Sequence, residues 1–231
     1  MRTIAVIGDS KGIGEALRNR LLSEGHRVIG VSRSGGFSGH PNYTPITADA
    51  VASAVDFTSA TDRLDGLVYC PGSITLKPFT SLREEHLLDD LRINYLGAFQ
   101  NIQASLKLLK AGSHPSVVLF STVAVGTGMP FHASISAAKA AVEGLTRSLA
   151  AELAPLIRVN AIAPSLTDTS LAENLLNNEK KQEAAAMRHP LKRVGSAEEL
   201  AATAAFLLGE GSAWMSGQII HVDGGMSRLR V

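Results

Sequence analysis

What this sequence lacks excludes several large classes of protein. It has one cysteine, Cys70, in 231 residues, so it can build no internal disulfide framework, and a reducing compartment is expected. It has almost no net charge: 22 basic side chains against 21 acidic ones leave +1 at pH 7. With neither a basic excess nor a basic stripe, a nucleic-acid partner is not expected. No apolar run approaches the roughly 18 residues of a membrane span, so no membrane partner is expected. The start, "MRTIAVIGDSKGIG", runs into a glycine loop with no apolar signal-peptide core, which implies a cytoplasmic protein. The seven histidines and single cysteine show no metal-ligand spacing, and there is no Gly-x-Ser-x-Gly elbow.

What is present alternates between short apolar runs and helix-patterned segments. Hydrophobic residues make up 45% and charged residues 19%, an ordinary globular balance. "TIAVIG" reads as a buried strand. "GIGEALRNRLLSEG" follows with Ile13, Leu17, Leu21 and Leu22 at helical spacing and Gly25 as its stop. "HRVIGVS" is the next strand, then a turn-rich "RSGGFSGHPN" and a weak strand "YTPIT". A short helix is expected over residues 51–63, a strand at "LDGLVYC", a long helix from Leu82 to Lys110 and a strand at "PSVVLFS". A helix within "PFHASISAAKAAVEGLTRSLAAEL", a strand "IRVNAIA", a helix over 196–208 and a strand "GQIIHVD" complete the chain. The segment 169–188 is the most polar and reads as a helical insertion, expected to be mobile. The alternation predicts one α/β domain over residues 1–231, a Rossmann fold: a doubly wound parallel sheet of about seven strands with helices on both faces.

"IGDSKGIG" sets Gly8, Gly12 and Gly14 between the first strand and the first helix. Such a loop brings backbone close to a pyrophosphate, and the helix start offers amide donors. The spacing Gly-x3-Gly-x-Gly resembles the short-chain dehydrogenase/reductase family in its classical branch. The resemblance recurs in order along residues 3–226. "DGLVYCPGS" lies where the family strand ends Asn-Asn-Ala-Gly, of which Gly72 survives. "RINYLGAFQ" carries the helix asparagine, Asn94, and "VVLFSTVAV" the strand ending in the catalytic serine. "IRVNAIAPSLTDT" matches the Asn-x-(Ile/Val)-x-Pro-Gly segment, with Ser165 in place of glycine and Thr169 at the family threonine. "HPLKRVGSAEELAATAAFLLGEGSAWMSGQIIHVDGG" matches the C-terminal region.

The resemblance implies a dinucleotide along Gly8, Ser10, Lys11, Gly12, Ile13, Gly14, Gly72, Asn94, Lys139, Pro164, Leu166 and Thr169, with Asp49 against the adenine. In this fold an acid after the second strand holds the ribose of NAD, and a basic residue there accepts the 2′-phosphate of NADP. The sequence reads Ser32-Arg33-Ser34, with no acid, and Lys11 is a second cation. NADP(H) is the cofactor expected.

The same resemblance implies carbonyl reduction by Ser, Tyr, Lys and Asn, the tyrosine giving the proton, four residues before the lysine. Counting back from Lys139 gives Ile135, and no tyrosine lies on this helix. The family serine, thirteen residues before the tyrosine, falls on Thr122, with Ser121 beside it. The expected constellation is Thr122, Lys139 and Asn94 with Ser121. Substitute proton sources are His132, Ser136 or water held by Lys139 and Asn94, and Ser134 is expected only to cap the helix. A small-molecule substrate is expected in an apolar pocket of Val123, Val125, Met129, Phe131 and Leu166. The leading expectation is an NADPH-dependent oxidoreductase acting on a carbonyl or activated C=C. The alternatives are a redox-silent NADP(H)-binding sensor or assembly protein, and an isomerase or lyase. Apolar surface on the 82–110 and 134–153 helices, which pair across a dimer interface in the family, implies a homotetramer or homodimer.

Overall fold

The computed structural model describes residues 1–35 and 39–230, so part of the turn-rich stretch after the second strand lies outside the described residues. Strands β1 (Thr3–Ile7), β2 (Arg27–Ser32), β3 (Tyr43–Thr47), β4 (Gly66–Tyr69), β5 (Ser116–Phe120), β6 (Arg158–Pro164) and a last strand, Ile219–Val222, make one parallel sheet. Its order is β3-β2-β1-β4-β5-β6-last strand, and a two-residue pair, Thr167–Asp168 with Gly195–Ser196, stands apart. Alternate residues of each strand feed opposite cores. Ala5 and Ile7 pack with Ala98, Ile102, Val142 and Leu145, while Ile4 and Val6 pack with Leu17, Leu21, Leu200 and Leu207. Apolar side chains on both faces of every central strand are what a sheet covered on both sides demands. The single α/β domain with seven parallel strands is therefore as expected.

The helices follow the sequence pattern with two differences. α1 is Gly12–Ser23, and Gly25 (φ +79°) takes the left-handed turn that ends it. The long helix is α2 (Glu84–Leu91), a widened π-turn over Arg92–Leu96, and α3 (Gly97–Lys110). α4 (Ala124–Thr127) is one turn, and α5 is Ala133–Leu153. The polar segment carries α6 (Glu173–Leu176) and α7 (Glu179–Met187), and α8 spans Ala197–Leu208. The first difference is residues 51–63, which are turns and not the expected helix. The Asp49 carboxylate takes the Val51 and Ala52 amides, Asn101 takes the Val55 amide and Asp56 takes the Thr58 amide, so side chains capture the donors a helix would use. The second is Ser134, whose hydroxyl is no cap: it donates to Asp90 at 2.5 Å, and His132 occupies the cap position.

The strand order reverses between β1 and β4, and ligands of such sheets bind in the crevice beyond the carboxyl ends of these strands. The glycine loop and Cys70–Gly72 flank that crevice. Gly8 (φ +84°) turns the chain out of β1, and a Cβ there would lie 3.0 Å from the Pro71 ring. A Cβ on Gly14 would collide with the Gly8 carbonyl, so only glycine lets α1 start this close to the loop. Asp9, fully buried beneath the loop, accepts the Tyr43 hydroxyl at 2.5 Å, and the Arg18 guanidinium donates to the Asp9 carbonyl oxygen at 2.9 Å. Burial raises the Asp9 carboxyl above its ordinary range, countered by Tyr43 and Arg18. Among the described residues no helix is long and apolar enough to cross a membrane.

Candidate active site

Two cavities open at the crevice. One, of about 700 Å³, is lined by Gly8, Ser10, Lys11, Gly12, Ile13, Gly14, Ser32, Arg33 and Asp49. The other, of about 490 Å³, takes in Thr122, His132, Ile135, Lys139, Pro164 and Leu166. They share Ile13, Cys70, Gly72, Thr169 and Leu171, so they form one continuous cleft. Most residues singled out in the sequence are thus brought together. Ser34 lines neither cavity, and Asn94 lies behind the wall, its Oδ1 facing Gly72, and does not line either one. Nor does Ser136, whose hydroxyl donates to the Ala124 carbonyl at 3.2 Å, against the expectation that placed it at the site. Val123, Met129 and Leu166 line the smaller cavity, whereas Val125 does not and Phe131 is exposed outside it.

Lys139 is held inside this cleft by the helix that carries it. α5 lies over β5, and the Lys139 ammonium donates to the Phe120 carbonyl at 2.9 Å, where β5 ends. Only 8% of the residue is exposed. Burial lowers its pKa from the ordinary 10.5 to about 8, with Asp90 and Cys70 opposing the fall. Asp90 is wholly buried and accepts three hydroxyls: Ser73 at 2.5 Å, Thr75 at 2.9 Å and Ser134 at 2.5 Å. Burial also pushes the Cys70 thiol up to about 12, which leaves it without thiolate character at neutral pH.

Asn94 sits in the π-turn. Its amide donates to the Asp90 carbonyl and to Ser73, each at 2.8 Å, and Tyr69 donates to the Ile93 carbonyl at 2.7 Å, so carbonyls freed by the widened turn are satisfied. Among the described residues the buried Asn94 Oδ1 has no hydrogen-bond partner. It faces Gly72: a Cβ there would lie 3.4 Å from that oxygen and 3.7 Å from the Lys139 Nζ. Across the cleft, Thr122 Oγ1 accepts the Ala124 amide at 3.3 Å. Ser121 also borders the cavity, but its hydroxyl donates to the buried Glu143 at 2.8 Å, and Glu143 also receives Arg147 at 3.0 Å. Ile135 is 4% exposed and lines the cavity wall. The His132 ring nitrogen Nδ1 is 2.8 Å from the Pro130 carbonyl, which only accepts, so Nδ1 carries hydrogen.

Sequence reasoning missed Asp90, Glu143 and His189. Asp90 precedes Asn94 by four residues and Glu143 follows Lys139 by four, so helical spacing already puts each on the face of a residue singled out. His189 had no such signal.

A profile described as enoyl-(acyl carrier protein) reductase matches residues 7–227. The 3-oxoacyl-(acyl-carrier-protein) reductase MabA of Mycobacterium tuberculosis is 31% identical over 233 residues, covering 97% of this chain and 92% of that protein. The chain belongs to the short-chain dehydrogenase/reductase family. Its fold is that of the family's solved members. The ligand-free aldohexose dehydrogenase of Thermoplasma acidophilum superposes with a TM-score of 0.89 at 28% identity, over 100% of this chain and 96% of that one. The Pseudomonas aeruginosa RhlG/NADP active-site complex gives 0.89 at 28%, over 98% and 96%. These relatives are named reductases and dehydrogenases, and this short-chain dehydrogenase/reductase is an oxidoreductase.

The depressed Lys139 pKa has a measurable consequence in the cofactor-free protein. The unfolded chain binds this proton up to pH 10.5, the folded one only to about 8, so stability rises with pH across that window and is lost as pH falls through 8. Urea unfolding should show the wild type gaining up to ~3 kcal/mol relative to Lys139→Met between about pH 7 and pH 10.5. No relative gain would mean that the amine is solvated.

Proposed function

We propose that this short-chain dehydrogenase/reductase uses NADPH to reduce the carbonyl, or a conjugated C=C bond, of a small and mainly apolar substrate, and that Ile135 stands where the family's proton-donating tyrosine would be. The observation that carries this reading is the continuity of the cleft: Lys11 and Arg33 line one end, Thr122 and Lys139 the other, with Gly72 in the shared wall.

The residues present fit NADP(H). The glycine loop admits close backbone approach, no carboxylate follows β2 in the Ser32-Arg33-Ser34 run, and Arg33 and Lys11 supply charge for a 2′-phosphate. The unpartnered Asn94 Oδ1 and the buried Lys139 ammonium meet beside Gly72, where ribose hydroxyls would give both a partner. When bound, this cofactor supplies the hydride. Thr122 then polarises the substrate oxygen, and Lys139 orients the nicotinamide ribose. Gly8, Ser10, Gly12, Ile13 and Gly14 would hold the pyrophosphate, Asp49 the adenine, and Pro164, Leu166 and Thr169 the nicotinamide. A proton source other than tyrosine is required, because a positioned acid is worth ~10² to 10⁴ in rate. His132, in the cavity wall, is one source, and water held between Lys139 and Asn94 is another. The redox-silent and non-redox readings would share the cofactor site but not this use of Thr122.

The expected homo-oligomer also belongs to this reading. Leu96 (48% exposed) and Phe99 (39%) on the long helix, and Trp214 (100%) before the last strand, are apolar surface for an assembly to cover. Light scattering at micromolar concentration should return a multiple of the 24.3 kDa chain mass; a single-chain mass would refute it.

Mixing the protein with NADPH and a panel of ketones, quinones and enones, and following cofactor oxidation, tests the reaction directly. Turnover of at least one class is expected. Binding of NADPH should be at least tenfold tighter than that of NADH, about 1.4 kcal/mol or more, and Arg33→Asp should narrow or reverse the preference. Equal wild-type affinities would sink the NADP(H) assignment.

A further inference from the structure

The smaller cavity contains a second polar device that the glycine loop and Lys139 do not use. His189 is 3% exposed and lines the cavity, as does Ser165. The His189 Nε2 is 2.8 Å from the Ser165 Oγ, and its Nδ1 is 2.8 Å from the Ala185 carbonyl oxygen. A carbonyl only accepts, so Nδ1 carries hydrogen, and the neutral ring leaves Nε2 to accept the Ser165 hydroxyl. These two contacts orient the ring. Gly224 lies beside it, where an added Cβ would make ordinary contact with His189 at 3.5 Å, and the Leu191 amide ties to the Gly224 carbonyl at 3.2 Å. Met226 Sδ, 3.0 Å from the Ser165 Oγ, is the acceptor for the one Ser165 hydrogen when Nε2 itself carries a proton.

The sheet register sets this pair beside Thr122. Phe120 pairs with Ile162, and the ladder continues through the Ser121 amide to the Ile162 carbonyl (2.7 Å) and the Val123 amide to the Pro164 carbonyl (3.1 Å). Thr122 and Ser165 therefore leave neighbouring strand ends, with strands about 4.8 Å apart. Both face one cavity whose wall at position 135 is an isoleucine.

We propose that Ser165 hands the proton to the substrate in this protein, with His189 as the positioning group that recharges it. The proposal rests on the reductase reading. For reduction the neutral ring first takes up a solvent proton at Nε2, through the cavity and the Ser165 hydroxyl, and then donates from Nδ1 to Ala185 and from Nε2 to Ser165. The substrate carbon gains the hydride as the C=O π pair moves to oxygen. That oxygen forms a bond to the Ser165 hydroxyl hydrogen, and the Ser165 Oγ takes the Nε2 proton, leaving neutral imidazole. The substrate is reduced by two electrons and the cofactor oxidised by two. The proton consumed in each turnover is thus the solvent proton that entered through the cavity and Ser165. In alcohol oxidation the neutral ring acts as base along the same path.

The test uses full-length protein, NADPH and trifluoroacetophenone, an activated apolar ketone. Ser165→Gly and His189→Gln should each lower kcat by about 10²-fold, the lower end of general-acid contributions, while NADPH affinity by calorimetry holds within about twofold. Because both act on one path, the double variant should be no slower than the slower single. Ile135→Tyr added to Ser165→Gly should restore at least about tenfold of kcat, which a structural defect would not allow. Nitrogen NMR of the free wild type should show His189 hydrogenated at Nδ1. An Nε2–H tautomer, multiplicative losses in the double variant, or an unimpaired Ser165→Gly beside an inactive His132→Ala would each overturn the proton role alone. A wild type that binds NADPH but oxidises it with no carbonyl or enone would overturn the reductase reading, and the proton role with it.

Discussion

The site depends on one buried ammonium. Lys139 sits inside an alanine-rich helix, almost wholly out of water, and among the described residues donates to a single carbonyl, Phe120. An ammonium has three hydrogens to give, and a buried charge with spare donors is costly. The surroundings offset part of that cost without an ion pair. Asp90 contributes a negative charge at longer range, itself held by Ser73, Thr75 and Ser134. What remains unsatisfied points into the cleft, beside the equally unpartnered Asn94 Oδ1. Two incomplete polar groups converging on one glycine are strain that a bound polyol edge would relieve.

The rest of the molecule fixes that convergence. The π-turn brings Asn94 inward, and Asp90 ties that turn to the start of α5 through Ser134. Ser121 ties β5 to α5 a second time through Glu143. On the opposite side of the cleft, the buried Asp9, Arg18 and Tyr43 brace the glycine loop from below. Both ends of the cleft are thus pinned by side chains outside the wall they support, which is what a preorganised site needs.

The fold was legible because both-sided burial writes near-continuous apolar strands and 3.6-period helices into the sequence. It failed at residues 51–63, where Asp49, Asp56 and Asn101 outbid helical hydrogen bonds, a competition that periodicity does not register. The cleft was legible through its backbone needs, Gly8 and Gly14, and through Lys139, an ammonium out of place on an apolar helix. Its support was not. Asp90 and Glu143 read as ordinary charges on helices, and only packing reveals that both are buried. Nearness to Lys139 in sequence points to Ser136, yet three residues along a helix turn its hydroxyl to the Ala124 carbonyl. The Ser165–His189 contact spans 24 residues and two chain segments, beyond any local pattern.

The central claim is that Lys139 is buried for the sake of the cofactor. Titration calorimetry of NADPH into the wild type and into Lys139→Ala, with circular dichroism to verify folding, measures this directly. Loss of a charge-assisted hydrogen bond of about 1.5–3 kcal/mol predicts roughly ten- to hundredfold weaker binding in the variant. Unchanged affinity in a folded Lys139→Ala would contradict the account and leave Lys139 as a strut for the Phe120 carbonyl.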